Sequence, residues 1–448
     1  MTVRSVQAIA AVLAATALVV LDAAIVNLAL PTIAYALRVS PAMSILVMTA
    51  YQLALVMALL PCAALGESLG FRRVFTVGVA LFTVASAFCA AAPSLPWLVA
   101  ARFLQGLGGA AVMALGVALL RQVVPSNWLG AAIGWNALTV ALATATGPSL
   151  GAVILSATSW PWLFALNLPI GAATLLASRA LPRSPGSSRA LDPVSIALNG
   201  GVFAALVVGA DLLPTRPLFS MVLLFVAGAA LALLVRREAA KALPLVPLDL
   251  LRVRSVSISA AASVCLFTGQ TAALVALPFH LQHGLGLSAL QTALYITPWP
   301  LTVAIAAPVA GHLSDRVPTA WLCALGGVVL ALGLSAMAMW APSAPRILVP
   351  CIMLCGLGFG LFQAPNNRNL FLGASPERSG AAGGLQGTAR LTGQTAGAVL
   401  MTALFTATSV DLAPRLGLGI GAALTLTAGI VSTLRAASKN LSAASPAP

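Results

Sequence analysis

Residues 8–30 read AIAAVLAATALVVLDAAIVNLAL, and Asp22 is the single charged residue among them. A helix rises about 1.5 Å per residue, so this block covers roughly 30 Å, the thickness of bilayer hydrocarbon. Similar blocks recur near 44–65, 74–92, 97–120, 131–156, 162–181, 194–211, 218–235, 255–277, 290–310, 320–340, 347–371, 381–408 and 417–434. Fourteen spans result. None alternates strictly between apolar and polar residues, which argues against a β-barrel. Composition agrees: 60% of the 448 residues are hydrophobic and 7% are charged, where a soluble protein carries about a quarter. Arg4 ahead of the first block resembles a signal peptide, but the length of the run, Asp22 and the second span close behind mark an uncleaved first helix.

The formal charge of +14 would suit nucleic acid if it were clustered. Instead, with the N-terminus inside, seventeen basic residues fall on the inner side: Arg4, Arg72, Arg73, Arg121, Arg179, Arg183, Arg189, Arg236, Arg237, Lys241, Arg252, Arg254, Arg316, Arg368, Arg378, Arg435 and Lys439. Four fall outside (Arg38, Arg216, Arg346 and Arg415) and two within spans (Arg102 and Arg390). This is the positive-inside bias, so the charge sets topology and no nucleic-acid partner is expected. Both termini are expected in the cytoplasm and the chain in a cell inner membrane. Trp97, Trp128, Trp160, Trp162, Trp321 and Trp340 lie near span ends, where interfacial anchors belong.

Two polar interruptions organise the chain, PRSPGSSRALDP at 182–193 and RREAAKALPLVPLDLLRVR at 236–254. They predict an N-terminal six-helix bundle (1–190), two inserted helices (191–236), a cytoplasmic loop (237–254) and a C-terminal six-helix bundle with a short tail (255–448). The halves echo one another: AALGESLGFRR at 63–73 closes the second span and GHLSDR at 311–316 closes the tenth. Paired bundles of this kind serve alternating access in many transporters.

Gly106-Leu107-Gly108-Gly109 is not a dinucleotide loop, because apolar helix and no strand precedes it. Glycines within spans read as close helix packing. Cys62, Cys89, Cys265, Cys323, Cys351 and Cys355 read as small apolar fillers. His280 and His283 lack a third ligand nearby, so neither a metal nor a cofactor is expected. No nucleophile–base pair, zinc signature or paired carboxylates suggests an enzyme.

In order along the chain, LDAAIVNLALP (21–31), RFLQG (102–106), TGPSLG (146–151), WPWLFALNLPIG (160–171), FQAPNNR (362–368) and TARLTG (388–393) resemble the major facilitator superfamily, specifically its fourteen-helix drug:proton antiporter branch. The resemblance implies a major facilitator fold of two six-helix bundles plus two inserted helices. Departures exist: Glu67 stands for an aspartate, Ser68 for an arginine, Ala63 for the opening glycine, and Ala152 follows Gly151 where a second glycine is common.

Asp22 is the carboxylate placed deepest in a span, ~20 Å along the first helix at ~1.5 Å per residue. Buried acids default to function, as proton carriers or cation contacts; the alternative is a packing hydrogen bond between helices. Arg102 and Arg390 need partners or a wet cavity, since arginine does not discharge. One arrangement sets Arg102 beside Asp22, and the resemblance implies proton coupling for Arg102. Backbone pairing suits Arg390 nearly as well as substrate contact. Asn27, Gln105, Asn136, Gln270, Gln363, Asn366 and Gln394 are candidate substrate contacts, Gln386 is another polar group within a span, and interhelical hydrogen bonding is the alternative for each. The resemblance gives gating roles to Glu67, Arg72, Arg73, Asp315 and Arg316 as a charged latch. It also assigns gating to Gly147, Pro148 and Gly151, which should bend the fifth helix and bare a face for a close neighbour.

The expectation is a monomeric, proton-coupled antiporter exporting a small organic molecule. The rivals are an uptake symporter or facilitator and a non-transporting membrane sensor. Relatives that export dications tend to carry extra acids in the tenth or thirteenth span, and none stands there here. The resemblance therefore implies neutral, zwitterionic, anionic or monovalent substrates.

Overall fold

The apolar blocks form helices that run longer than the hydrocarbon alone requires. In the computed structural model they are α1 (Val3–Leu37), α2 (Pro41–Leu69), α3 (Phe71–Ala90), α4 (Leu95–Val123), α5 (Leu129–Ala157), α6 (Pro161–Ala180) and α7 (Pro193–Leu212). Then come α8 (Pro217–Ala239), α9 (Arg254–Gly284), α10 (Ala289–Leu313), α11 (Thr319–Trp340), α12 (Pro345–Leu372), α13 (Ser379–Ala407) and α14 (Leu412–Ala443). The described residues are 3–125, 128–183, 192–239, 241, 244–340, 345–373 and 379–443. Arg189 and Arg378 fall outside them, as does most of the 182–193 interruption. Among the described residues thirteen helices are long and apolar enough to cross a membrane. The other helix, α13, has 29 residues but carries Gln386, Arg390 and Gln394 among glycines and threonines. Its polarity, not its length, sets it apart.

Large apolar side chains stand exposed along the helices, Leu218 and Phe225 both at 77%. Lipid is the only solvent in which such a surface is stable. Trp97, Trp128, Trp162 and Trp321 are exposed, as anchors need to be. Trp160 departs from that expectation: it is buried, edge-on to Phe164. Arg435 departs too. It was placed in an inner tail, yet α14 continues past it and it is 6% exposed.

The chain forms two compact units, Met1–Val246 and Pro247–Pro448. Within the first, α1 packs on α5 and α6, α2 on α4, and α3 on α4 and α6. Within the second, α9 packs on α13 and α14, α10 on α12, and α11 on α12 and α14. The two schemes coincide helix for helix. Glycines fix the register. A Cβ on Gly108 of α4 would meet the Gly78 carbonyl of α3 at 2.6 Å, and one on Gly358 of α12 would meet that of Gly326 at 2.7 Å. Gly106 lies against the backbone at Tyr51 and Gly356 against that at Trp299. Sixteen residues on from Tyr51 is Glu67, and sixteen on from Trp299 is Asp315. The two acids, Glu67 in the last turn of α2 and Asp315 just past α10, are therefore counterparts. Such bare contacts let helix backbones approach where lipid gives no hydrophobic drive.

The inserted pair α7–α8 docks on α2, where the Asn199 amide donates to the Met57 carbonyl at 2.9 Å. An ionic cluster fastens its polar end. Asp192 caps α7 and takes bonds from Arg237 at 3.0 Å and Lys241 at 2.5 Å, while Ser195 donates to Asp192 at 2.9 Å and Glu238 at 2.6 Å. Arg237, then Lys241, holds the Asp192 carboxyl well below the usual carboxylate range. Glu238, itself 1% exposed, also accepts from the Leu245 backbone N–H.

Candidate functional site

Three helices of the first unit converge on Asp22 of α1. Arg102 sits on α4, one turn from the glycines that bring α4 against α2, and Asn167 sits on α6. Asp22 and Arg102 are each 1% exposed. Arg102 Nη1 lies 2.5 Å from Asp22 Oδ2 and 2.5 Å from Gln105 Oε1, and its Nε donates to the Val47 carbonyl at 3.2 Å. The other carboxylate oxygen, Oδ1, accepts from Gln105 Nε2 at 3.0 Å and Asn167 Nδ2 at 2.7 Å. Ser86 of α3 accepts from Gln105 at 2.8 Å and donates to the Phe82 carbonyl at 2.8 Å. The Tyr51 ring lies 4.0 Å under the guanidinium.

The charges therefore cancel locally and each carboxylate oxygen has its own donors. Arg102 is held independently of Asp22 as well, by the Gln105 oxygen, the Val47 carbonyl and the Tyr51 face. A proton arriving on Asp22 would remove an anion without leaving the cation bare.

The sequence singled out Asp22, Arg102 and Gln105, and they meet. It missed Asn167, Ser86 and Tyr51. Asn167 stands inside the 160–171 stretch, where one amide among apolar residues was the available signal. Ser86 and Tyr51 carried none.

α5 reaches this site through its bare face. A Cβ on Gly147 would lie 2.5 Å from that of Ala24, and one on Gly151 would lie 3.1 Å from Ile25. The expected close neighbour of that face is thus α1 of the same unit, two and three residues past Asp22. The helix runs unbroken through Pro148.

The other candidates lie apart. Asn27 and Asn136 are half-buried in α1 and α5. In the second unit Gln270, Gln363 and Gln394 are half-buried, and their side chains make no hydrogen bond to another described residue. Arg390 is half-buried in α13. Asn366 is buried; its amide donates to Ser259 and Ser263 and its oxygen accepts from Arg435 at 2.9 Å. Asp315 pairs with Arg368 at 2.8 Å, whereas Arg316 makes no ion pair among the described residues. Glu67 and Arg73 are exposed, and Arg72 donates to the Leu181 carbonyl at 3.0 Å. The register of the repeat places Ile352 where Arg102 stands and Cys355 where Gln105 stands. The buried ion pair therefore has no counterpart at those two positions of the second unit.

The family model of the Major Facilitator Superfamily matches residues 12–398 and 259–447. The chain belongs to the major facilitator superfamily. It is similar to the Uncharacterized transporter YebQ of Escherichia coli (strain K12), with 43% identity over 96% of this chain and 95% of that one. It is also similar to the Riboflavin transporter RibZ of Clostridioides difficile (strain 630), with 28% identity over 83% and 81%. The Multidrug resistance protein Stp of Mycobacterium tuberculosis matches at 31% over 89% and 76%. This major facilitator protein is a multi-pass membrane transporter, and its first unit holds the buried carboxylate–guanidinium pair.

Proposed function

We propose that the chain is a proton-coupled antiporter of a bacterial inner membrane, exporting a small organic molecule by alternating access. The observation that carries this reading is the Asp22–Arg102 pair, sealed at membrane depth, with a second set of acceptors in place for the arginine. A buried carboxylate costs several kcal/mol unless its neutral form is used. Here the ionised form is held by Arg102, Gln105 and Asn167, and the protonated form leaves Arg102 supported. Substrate and proton then favour different states of one equilibrium, which is what exchange requires.

The path from proton to helix movement runs through α1. Ala24 and Ile25 rest on Gly147 and Gly151, so a shift of α1 on protonation bears on α5. In the first unit Asn27 and Asn136, and in the second Gln270, Gln363, Asn366, Arg390 and Gln394, are the proposed substrate contacts. Glu67, Arg72, Arg73, Gly147, Pro148, Gly151, Asp315 and Arg316 are the proposed gating residues. The relative named a multidrug resistance protein favours export. The one named a riboflavin transporter makes riboflavin a cargo to test.

Everted vesicles test this. Uptake of a fluorescent dye or of riboflavin should require an inward-acid pH gradient and should collapse with a protonophore. Accumulation that ignores the gradient would leave a facilitator, and gradient-driven movement of cargo along with the proton would leave a symporter.

A further inference from the structure

A cleft at the junction of α3 and α6 gathers four arginines that the proposed transport cycle leaves partly unused. Arg72 and Arg73 open α3, Arg179 lies in the last turn of α6 and Arg183 stands three residues past its end. Among the described residues none of the four has an acidic partner. Arg73, Arg179 and Arg183 are exposed. The α3 N-terminus beside them begins after Gly70, at φ 93°, and no side chain caps it, so its free N–H groups add to the positive field. Two carbonyls at the end of α6 already have arginine donors. Arg72 takes the Leu181 carbonyl at 3.0 Å and Arg4 the Ala180 carbonyl at 3.4 Å.

The walls are apolar. Leu175 and Val77 line the cleft, and Val77 and Leu176 are each 61% exposed, which continues the cleft into the lipid-facing surface. A charged mouth at span ends that opens onto an apolar track has the amphipathic order of a phospholipid. The fold does not require these charges. In the second unit the glycine register sets Ala320 and Trp321 where Arg72 and Arg73 stand, and α11 still packs on α12 and α14. Topology alone would be served by arginines anywhere on these connections and gives no reason for them to converge from two helices.

We propose that this cleft binds an anionic phospholipid. Its phosphodiester would be held by Arg73, Arg179, Arg183 and the α3 N-terminus, with an acyl chain along Val77 and Leu175. Arginine forks suit phosphate oxygens, and basic pockets between spans take such headgroups. Because α3 also carries Ser86 and α6 carries Asn167, the lipid would brace the two helices that flank the buried pair.

Native mass spectrometry of the purified full chain tests this with three probes: phosphatidylglycerol, phosphatidylethanolamine and glycerol 3-phosphate. The wild type should retain phosphatidylglycerol over phosphatidylethanolamine, and glycerol 3-phosphate should not displace it. The triple variant R73Q/R179Q/R183Q should lose retention by at least about tenfold. Should that variant fail to insert, Val77→Trp fills the track while keeping every charge and should weaken phosphatidylglycerol alone. Equal retention of the two lipids by the wild type, or unchanged preference in Val77→Trp, would overturn the proposal. Displacement by glycerol 3-phosphate would equally overturn it, since the cleft would then be a site for free phosphate esters.

Discussion

Arg102 touches Asp22 across 80 residues of sequence, yet the guanidinium is also bonded to Gln105 and Val47 and stacked on Tyr51. The ion pair is therefore one of several interactions holding the arginine. Its loss should be more damaging to coupling than to folding.

Asp22→Asn should insert and fold but lose uphill, pH-driven transport. Arg102 keeps its bonds to Gln105 and Val47 and its contact with Tyr51, so the thermal midpoint in detergent should fall only modestly. The neutral double variant Asp22→Asn/Arg102→Gln should regain part of that midpoint and none of the coupling. Gradient-driven transport at wild-type rates by Asp22→Asn would remove the mechanism, and Glu67 would be the next carboxylate to test.

Asn167→Leu deletes a donor that favours the ionised form of Asp22. Transport should persist, with a pH profile that differs from the wild type's. A lower rate with an unmoved pH profile would make Asn167 a packing residue. Asn167→Asp is the useful contrast, because it sets a second carboxyl beside the first.

Gly147→Val places methyl groups where Ala24 already stands, 2.5 Å from the first added carbon. Overpacking of this kind costs about 1–3 kcal/mol. Coupling should fall, with a proton leak measurable by dye quenching in vesicles. Ala24→Gly should restore coupling to Gly147→Val while doing little alone. Gly151→Ala, at 3.1 Å from Ile25, should be the milder lesion.

Orientation is open to a direct measurement. Cysteines introduced singly at Ser187 and Pro342, in connections outside the described residues, should react with an impermeant thiol reagent from opposite faces in a background without native cysteines. Reaction of both from the outer face would refute the topology drawn from the arginine bias.

The helices were legible because hydrocarbon thickness imposes one length and one composition on every span. Even α13, the polar exception, was visible as a block between loops. The charged members of the site were legible for the same reason, since Asp22 and Arg102 are expensive where they stand. Asn167 and Ser86 were hard to find because an amide or hydroxyl within a span is cheap and common. Arg435 was misplaced because a basic residue near a predicted helix end reads as a loop charge. Only the tertiary fold shows that Ser259 and Asn366 wait for it. The ionic cluster at Asp192 was missed because its members lie 43 to 49 residues apart, with a helical hairpin between them.

That cluster bears on how the chain passes from one unit to the next. Leu245 is bonded to Glu238 on one side of the boundary, and Leu250 is buried with Val256 and Leu370 on the other. A helical turn begins at Leu248, so Val246 and Pro247 are the only residues left between the two anchorages. The stretch that reads in the sequence as one long polar loop thus carries an anchorage at Leu245 and another at Leu250, with Val246 and Pro247 between the first and the turn at Leu248. Pro247 adds a fixed φ at that point.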